Sequence, residues 1–532
     1  MKTKFSVCLL LLCLALPAEN VELNVVHRIK NEAFQSSKVM DHVFYLTDVH
    51  GPRLAGSPGY KAAADWVVAT AKEWGLENVK LEKWGEVGRG WSHSRFAAHI
   101  VAPVEIPLIG FPLAWTPGTN GPVIGDAVLA PIRNEADFAK YKGTLKGKIV
   151  LLEGARDLQV RTTADSQRYT EAELAERAKA PDPALRSPFG MPFPRPGGPQ
   201  PSPQFREMME ARQFRTKLGQ LLKEEGVLAV ISPGQRGDMG TVFAASGGSR
   251  DLKDPLPPPS IALAVEHYNR IVRLLEKKMP VKLEVDVRVR IEEKPVDGFN
   301  VIAELRGDRK KDELVMIGAH LDSWHGGTGA TDDAAGCAVM MEAMRILKKL
   351  GLKTDRTVRM ALWDAEEQGL LGSRAYVKEH FADRETMALK RDHAKLSGYF
   401  NFDNGSGKIR GVYLQGNDMM RPVFEAWLAP FKDLGATTIT IANTSGTDHL
   451  GFDAVGLPGF QFIQDPLDYS TRTHHSNMDV YERIQPGDLM QASAIIASIV
   501  YHAATRPELL PRKPVPMPPP KPEPKKEDPK KT

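Results

Sequence analysis

From about residue 293 onward the chain alternates two hydrophobic rhythms. The short apolar runs VIAEL, LVMIGAH, TVRMALWDA, YFNFDN, VYLQG, TTITIA and GFQFIQD read as buried strands. Between them lie stretches whose apolar residues recur three and four positions apart. In AVMMEAMRILKKLGL, Val339, Met340, Ala343, Met344, Leu347 and Leu350 share one face, and Gly351 supplies the stop. LLGSRAYVKEHF, PVFEAWLAPF and MQASAIIASIVYHAA predict further helices. The alternation predicts an α/β fold built on a mostly parallel, covered sheet.

The earlier half is less regular. YKAAADWVVATAKEWGL places Tyr60, Ala63, Ala64, Val67, Ala71 and Trp74 near one helical face, and VKLEKW and FAAHIVA read as strands. Between residues 118 and 292 the character changes. KGKIVLLEG and GVLAVISPG are short strands, PSIALAVEHYNRIVRLLEKK is strand then helix, and VKLEVDVRVRIEE alternates as an exposed strand. This predicts a small β-rich domain, 118–292, inserted between the two parts of a larger domain, 19–117 and 293–505. Within it, residues 181–203 hold nine prolines, which bar helix and central strand and predict either a solvated loop or a substrate lid.

Composition adds limits. The chain has 532 residues, 42% of them hydrophobic, and a net charge of +4. From Arg506 onward eight Lys/Arg face four Asp/Glu, so the tail 506–532, with ten prolines, carries the whole excess and is expected to be disordered. The remainder is neutral and holds no basic block for nucleic acid. Lys2 and Lys4 precede an apolar core, Phe5 to Leu16, closed by Pro17 and Ala18. That is a secretory signal peptide, 1–18, too short to favour a membrane span. Cys8 and Cys13 lie within it, leaving Cys337 as a buried small hydrophobe, with no internal disulfide. A secreted or periplasmic protein follows.

The chemistry gathers at strand ends. LVMIGAH ends on His320, and Asp332 and Asp333 stand where the next helix begins. TVRMALWDA runs into Glu366 and Glu367, YFNFDN delivers Asp403, and a loop after GFQFIQD carries His474, His475 and Asp479. Open α/β sheets bind ligands at this edge. Imidazoles and carboxylates suit zinc, and a pair of zinc ions needs a bridging carboxylate. The natural assignment gives one metal His320 and Asp403, the other Glu367 and His475, with Asp332 between them. Glu366 is left over as a general base that takes a proton from water and passes it to the leaving amine. Asp322 and Asp479 are candidate orienting groups behind the ligands. Asp448 and His449 either line the pocket or serve the local fold.

The motifs GAHLDSWHGGTGATDD, LWDAEEQGLLGS, FNFDNG, SGTDHLGF and HHSNMD resemble those of zinc exopeptidases of the carboxypeptidase Q and leucyl aminopeptidase type. The resemblance extends to GPRLAGSPGYKAAADWV and GLENVKLE, and the inserted segment looks like a protease-associated (PA) domain. It implies two zinc ions per chain, held by His320, Asp332, Glu367, Asp403 and His475, with Asp332 the bridge and Glu366 the base. It favours His475 over His474 because Asp479 stands four residues later. It implies a cis bond after Asp332, a short-peptide substrate and no membrane span, and it allows a homodimer. The Pro-rich stretch and His325 depart from the pattern. Two other functions remain open: an inactive binding protein on the same scaffold, and a single-zinc glutaminyl cyclase. Amino- against carboxy-terminal preference is not legible in these motifs.

Overall fold

The computed structural model describes residues 19–185 and 203–518. Residues 1–18, where a signal peptide was expected, most of the Pro-rich stretch and the end of the tail lie outside the described residues. Sixteen strands follow in chain order: β1 (Glu77–Ala102), β2 (Ile106–Pro107), β3 (Gly110–Pro112), β4 (Val123–Leu129), β5 (Lys148–Leu151), β6 (Ala229–Ser232), β7 (Ser260–Leu263) and β8 (Lys282–Leu305) come first. Then come β9 (Lys310–His320), β10 (Arg356–Trp363), β11 (Ala382–Asp383), β12 (Ala388–Leu389), β13 (Leu396–Asn401), β14 (Ile409–Tyr413), β15 (Thr438–Thr440) and β16 (Gly459–Gln464). All but β11 and β12 join one sheet, in the order β15-β14-β16-β13-β9-β10-β8-β4-β5-β6-β7-β3, with β1 beside β8 and β2 beside β1.

The expected α/β architecture is present. Strands β16, β13, β9 and β10 run parallel, and so do β4, β5, β6 and β7. Side chains alternate along β9, sending Val315, Ile317 and Ala319 to one core and Leu314 and Met316 to another. The first core is roofed by the helices Leu23–Gln35, Val39–Phe44, Ala335–Lys349 and Pro486–Thr505. The second lies under Leu371–His380 and His449–Asp453. Both faces are therefore covered, which explains why these strands read as continuous apolar runs. The helix Ala335–Lys349 is buried beyond its expected face: Cys337, Ala338, Met341 and Ile346 are inaccessible as well.

Two features differ from the expected pattern. VKLEKW and FAAHIVA belong to one strand, β1, paired antiparallel with β8 over most of its length. Register shifts near Gly85 and Gly88 interrupt the alternation and hide its continuity in the sequence. This ribbon carries the sheet without a break from the 293–505 region into the 118–292 region, whose strands bury separate cores. The tail also packs further than expected: Leu510 is buried and its N–H donates to Ser397 Oγ, while Arg512 reaches the His393 carbonyl at 2.9 Å. Among the described residues no helix is long and apolar enough to cross a membrane.

Candidate metal centre

The parallel strands end level. Trp363 of β10 stands opposite His320 of β9, and Asn401 of β13 stands opposite Gly318. The residues that follow each end, Glu366, Glu367 and Asp403, therefore meet His320 at one edge. Asp332 reaches the same point from the loop between β9 and the helix Ala335–Lys349, and the Asp332–Asp333 bond is cis, as the resemblance implied. His475 arrives from the loop after β16. Ala365 and His475 hold φ values of +55° and +64°, a left-handed conformation that costs a non-glycine residue about 1 kcal/mol or more. Strain of this kind at a cluster of chemical groups is a mark of a functional site.

All five expected ligands come together. His320 Nε2 lies 3.1 Å from Asp332 Oδ1 and 3.7 Å from Asp403 Oδ1. His475 Nε2 lies 3.2 Å from Asp332 Oδ2 and 2.9 Å from Glu367 Oε2. Asp332 is thus shared by two imidazoles, one at each oxygen. His474 is further out, with Nε2 3.8 Å from Asp332 Oδ2. His320 Nδ1 stands 2.9 Å from the Asp322 carbonyl, which can only accept, so that nitrogen carries a proton and Nε2 is the one turned toward a metal.

The two orienting aspartates act differently from the simplest expectation. The main-chain oxygen of Asp322, not its carboxylate, makes the short contact to His320, and the carboxylate is 3.6 Å away. That carboxylate instead accepts from the Glu366 and Glu367 N–H groups at 3.1 and 3.3 Å, fixing the turn that presents both glutamates. Asp479 does not touch His475. Its Oδ1 accepts from Thr331 N at 2.6 Å and Thr331 Oγ1 at 2.8 Å, and so anchors the residue before Asp332.

The electrostatics call for a cation. Asp322, Asp332, Asp333, Asp403 and Asp448 are all buried around the edge, and Glu367 is nearly so. Asp332 Oδ2 and Glu367 Oε1 are shielded from solvent and accept no hydrogen bond. Burial opposes ionisation of Asp332, yet His320 and His475 hold its carboxyl well below the ordinary range. Burial opposes charging of the His320 ring too, but Asp403, Asp322 and Asp332 hold it well above its usual value. Burial pushes Glu367 up to about 7, with His475 opposing and Asp332 adding. Glu366 is pushed well above the ordinary range by burial, aided by Asp403, Asp448 and Glu367. Clustered buried carboxylates with bare lone pairs, beside imidazoles that hold a proton where no cation stands, are the donor set that zinc takes as those protons leave. The residues present fit that metal.

Several contributors escaped the sequence reading. Arg53, inside GPRLAGSPG, is fully buried behind the site. It donates to the carbonyls of Leu46 at 2.6 Å, Leu321 at 2.7 Å, Thr328 at 2.8 Å and Gly329 at 2.9 Å. The last three belong to the loop that carries Asp332. A lone arginine among Gly and Pro was the available signal. Asp448 does not cap its helix: one oxygen accepts from Ser373 Oγ, the other is buried without a partner, and burial raises its pKa to about 7. His449 is buried, which pushes it down to about 4. His325 is buried as well, donating from Nε2 to the Pro112 carbonyl at 2.7 Å, and thus ties the metal loop to β3. Cys337 is buried as expected, with Sγ 3.0 Å from the His320 carbonyl.

A cavity of about 820 Å³ opens beside Glu367 and Gln368 and is walled by Trp115, Trp324 and the 246–257 segment. It lies between the two regions of the sheet, where a peptide could approach.

Comparison with known proteins agrees with this geometry. Residues 300–500 match Peptidase family M28. Bovine (Bos taurus) carboxypeptidase Q is 25% identical over 494 residues, covering 92% of this chain and 89% of that protein. The crystal structure of a peptidase M28 precursor from Shewanella amazonensis superposes with a TM-score of 0.62 at 26% identity, covering 93% of this chain and 98% of the other. A zinc aminopeptidase from Bacillus subtilis shares the fold, with a TM-score of 0.53 at 19% identity over 89% and 96% of the two chains. Residues 300–500, the segment that holds every expected ligand, thus match the model of Peptidase family M28, and the chain's similarity to these relatives marks it as a zinc-dependent metallopeptidase.

Proposed function

We propose that the chain is an exported di-zinc exopeptidase that hydrolyses the terminal peptide bond of short peptides or dipeptides. The observation that carries this is Asp332, whose oxygens face different imidazoles at 3.1 and 3.2 Å. A carboxylate shared in this way suits a bridge between two metal ions roughly 3.5–4 Å apart. His320 and Asp403 would complete one site, and Glu367 and His475 the other. Zinc bound there supplies Lewis acidity, polarising the peptide carbonyl and acidifying the water beside it.

The chain's own groups do the rest. Glu366 takes the proton from the attacking water and delivers it to the nitrogen of the leaving amine. The Asp322 carbonyl holds the His320 ring with Nε2 turned toward a metal. Asp479, through Thr331, fixes the approach to Asp332. Residues 118–292 act as a PA-like inserted domain that forms one wall of the cavity, against the peptidase parts 19–117 and 293–505. The charged and apolar pattern of residues 1–18 supports export.

The sharing of Asp332 favours two ions over the single zinc of a cyclase. The test is a panel of free, N-blocked and C-blocked dipeptides and tripeptides, with products identified by mass. Release of single amino acids supports the proposal. Cyclisation of N-terminal glutamine, or no turnover of any member, contradicts it.

A further inference from the structure

A free C-terminal carboxylate is read by a cation placed at the rim of the site. Arg53 is fully buried and committed to four carbonyls. Arg472 is held by Asp165 at 2.7 Å and Asp238 at 2.8 Å. Arg236 differs from both. It is exposed, and among the described residues no carboxylate pairs with it. Its Nη2 donates to His474 Nδ1 at 3.2 Å and to the His474 carbonyl at 3.3 Å, and its guanidinium lies over the Phe243 ring at 4.1 Å.

This position is built rather than incidental. Arg236 comes from the 118–292 region, whose neighbouring segment is fastened to the histidine loop by two main-chain bonds and one to a side chain. Ala244 N donates to the His475 carbonyl at 2.6 Å, Asn477 N to the Val242 carbonyl at 3.1 Å, and Val242 N to Asn477 Oδ1 at 2.9 Å. An arginine can only donate, so His474 Nδ1 accepts, and its proton sits on Nε2, 3.8 Å from Asp332 Oδ2. His474 therefore turns a donor, not a lone pair, toward the shared carboxylate, which leaves coordination to His475. The guanidinium stands one imidazole ring away from Asp332. In a C-terminal residue only the amide nitrogen and one α-carbon separate the scissile carbonyl from the terminal carboxylate, so the group that receives the carboxylate must stand beside the metal-binding edge, as this guanidinium does.

We infer that Arg236 receives the free α-carboxylate of the substrate, so that the residue released is the C-terminal one. The inference rests on the proposed peptidase reading and adds the terminus that this reading leaves open. Guanidinium–carboxylate pairing is bidentate and charge-assisted, which suits a terminus and rejects its neutral amide.

The test compares alanyl-leucine, its C-terminal amide and its N-acetyl derivative on the wild type, Arg236→Gln and Arg236→Lys. kcat/KM is read alongside calorimetric Kd values for the dipeptide and its amide on zinc-loaded Glu366→Ala protein, with and without Arg236→Gln. The wild type is expected to prefer the free acid about 10- to 100-fold. Arg236→Gln brings the acid to the level of the amide, Arg236→Lys restores part of the preference, and the Kd ratio follows. A preference for the acid that survives Arg236→Gln, equal use of acid and amide by the wild type, or rejection of the N-acetyl peptide with acceptance of the amide overturns the inference. If no peptide is cleaved, the peptidase reading fails, and the Kd ratio still decides the role of Arg236.

Discussion

Replacing Arg53 by lysine probes how the metal loop is held. The guanidinium is fully buried and satisfies four main-chain carbonyls at 2.6–2.9 Å, three of them in the loop between His320 and Asp332. A lysine ammonium is a point donor on a different stem and cannot reproduce the planar fork. At best it reaches two of those carbonyls. Each buried carbonyl left without a partner costs about 1–3 kcal/mol. Because the Gly329 carbonyl also accepts from Ala334 N–H, one or two carbonyls are left without a partner, and Arg53→Lys should destabilise the metal-free protein by about 1–5 kcal/mol, Arg53→Met by more. Because Thr328 and Gly329 lead directly to Asp332, zinc affinity should fall at least about tenfold, the scale of losing a supporting partner behind a metal ligand. Denaturant unfolding of metal-free protein and zinc titration against a competing chelator measure the two effects. A lysine variant within about 1 kcal/mol of wild type, with unchanged zinc affinity, would refute this role for Arg53.

Two further perturbations follow from the packing. Glu342 has a fully buried side chain, paired with His42 and Arg345, and its pKa is lowered to about 2 because those partners outweigh the cost of burial. Its folded-state pKa lies below the ordinary carboxylate value, so its contribution is full above about pH 4.5 and is lost as the pH falls toward 2; Glu342→Gln should cost roughly 3 kcal/mol at pH 7, with the gap closing in acid unfolding curves. Gly336 begins the helix behind the metal loop, and an added Cβ would lie 2.3 Å from the Phe402 carbonyl oxygen and 2.4 Å from the Asp333 carboxylate. Gly336→Ala must push apart the segments carrying Asp332 and Asp403, costing at least about 1–3 kcal/mol and reducing bound zinc, read by calorimetry and elemental analysis.

The site was legible because its ligands sit where apolar runs stop. His320, Glu366, Glu367 and Asp403 each follow a strand whose burial on both faces makes it conspicuous. What stayed hidden acts through main-chain atoms or across long sequence separations. The Asp322 carbonyl contact to His320 has no side-chain signature. Arg53 lies 268 residues from the carbonyl of Leu321, and Arg236 lies 238 residues from His474. The β1–β8 ribbon was obscured for a different reason: its register shifts break the period of two on which strand reading depends. The packing of residues 506–512 was hidden because a Pro-rich composition conceals Leu510, a single apolar anchor in the core.

The most direct test pairs metal content with hydrolysis in the mature protein and in Glu366→Ala. The account predicts two zinc ions per chain in both proteins, held by His320, Asp332, Glu367, Asp403 and His475, with kcat reduced about 10²- to 10⁴-fold in the variant. Absence of zinc and of peptide hydrolysis in the wild type, or an alanine variant as fast as the wild type, would contradict it.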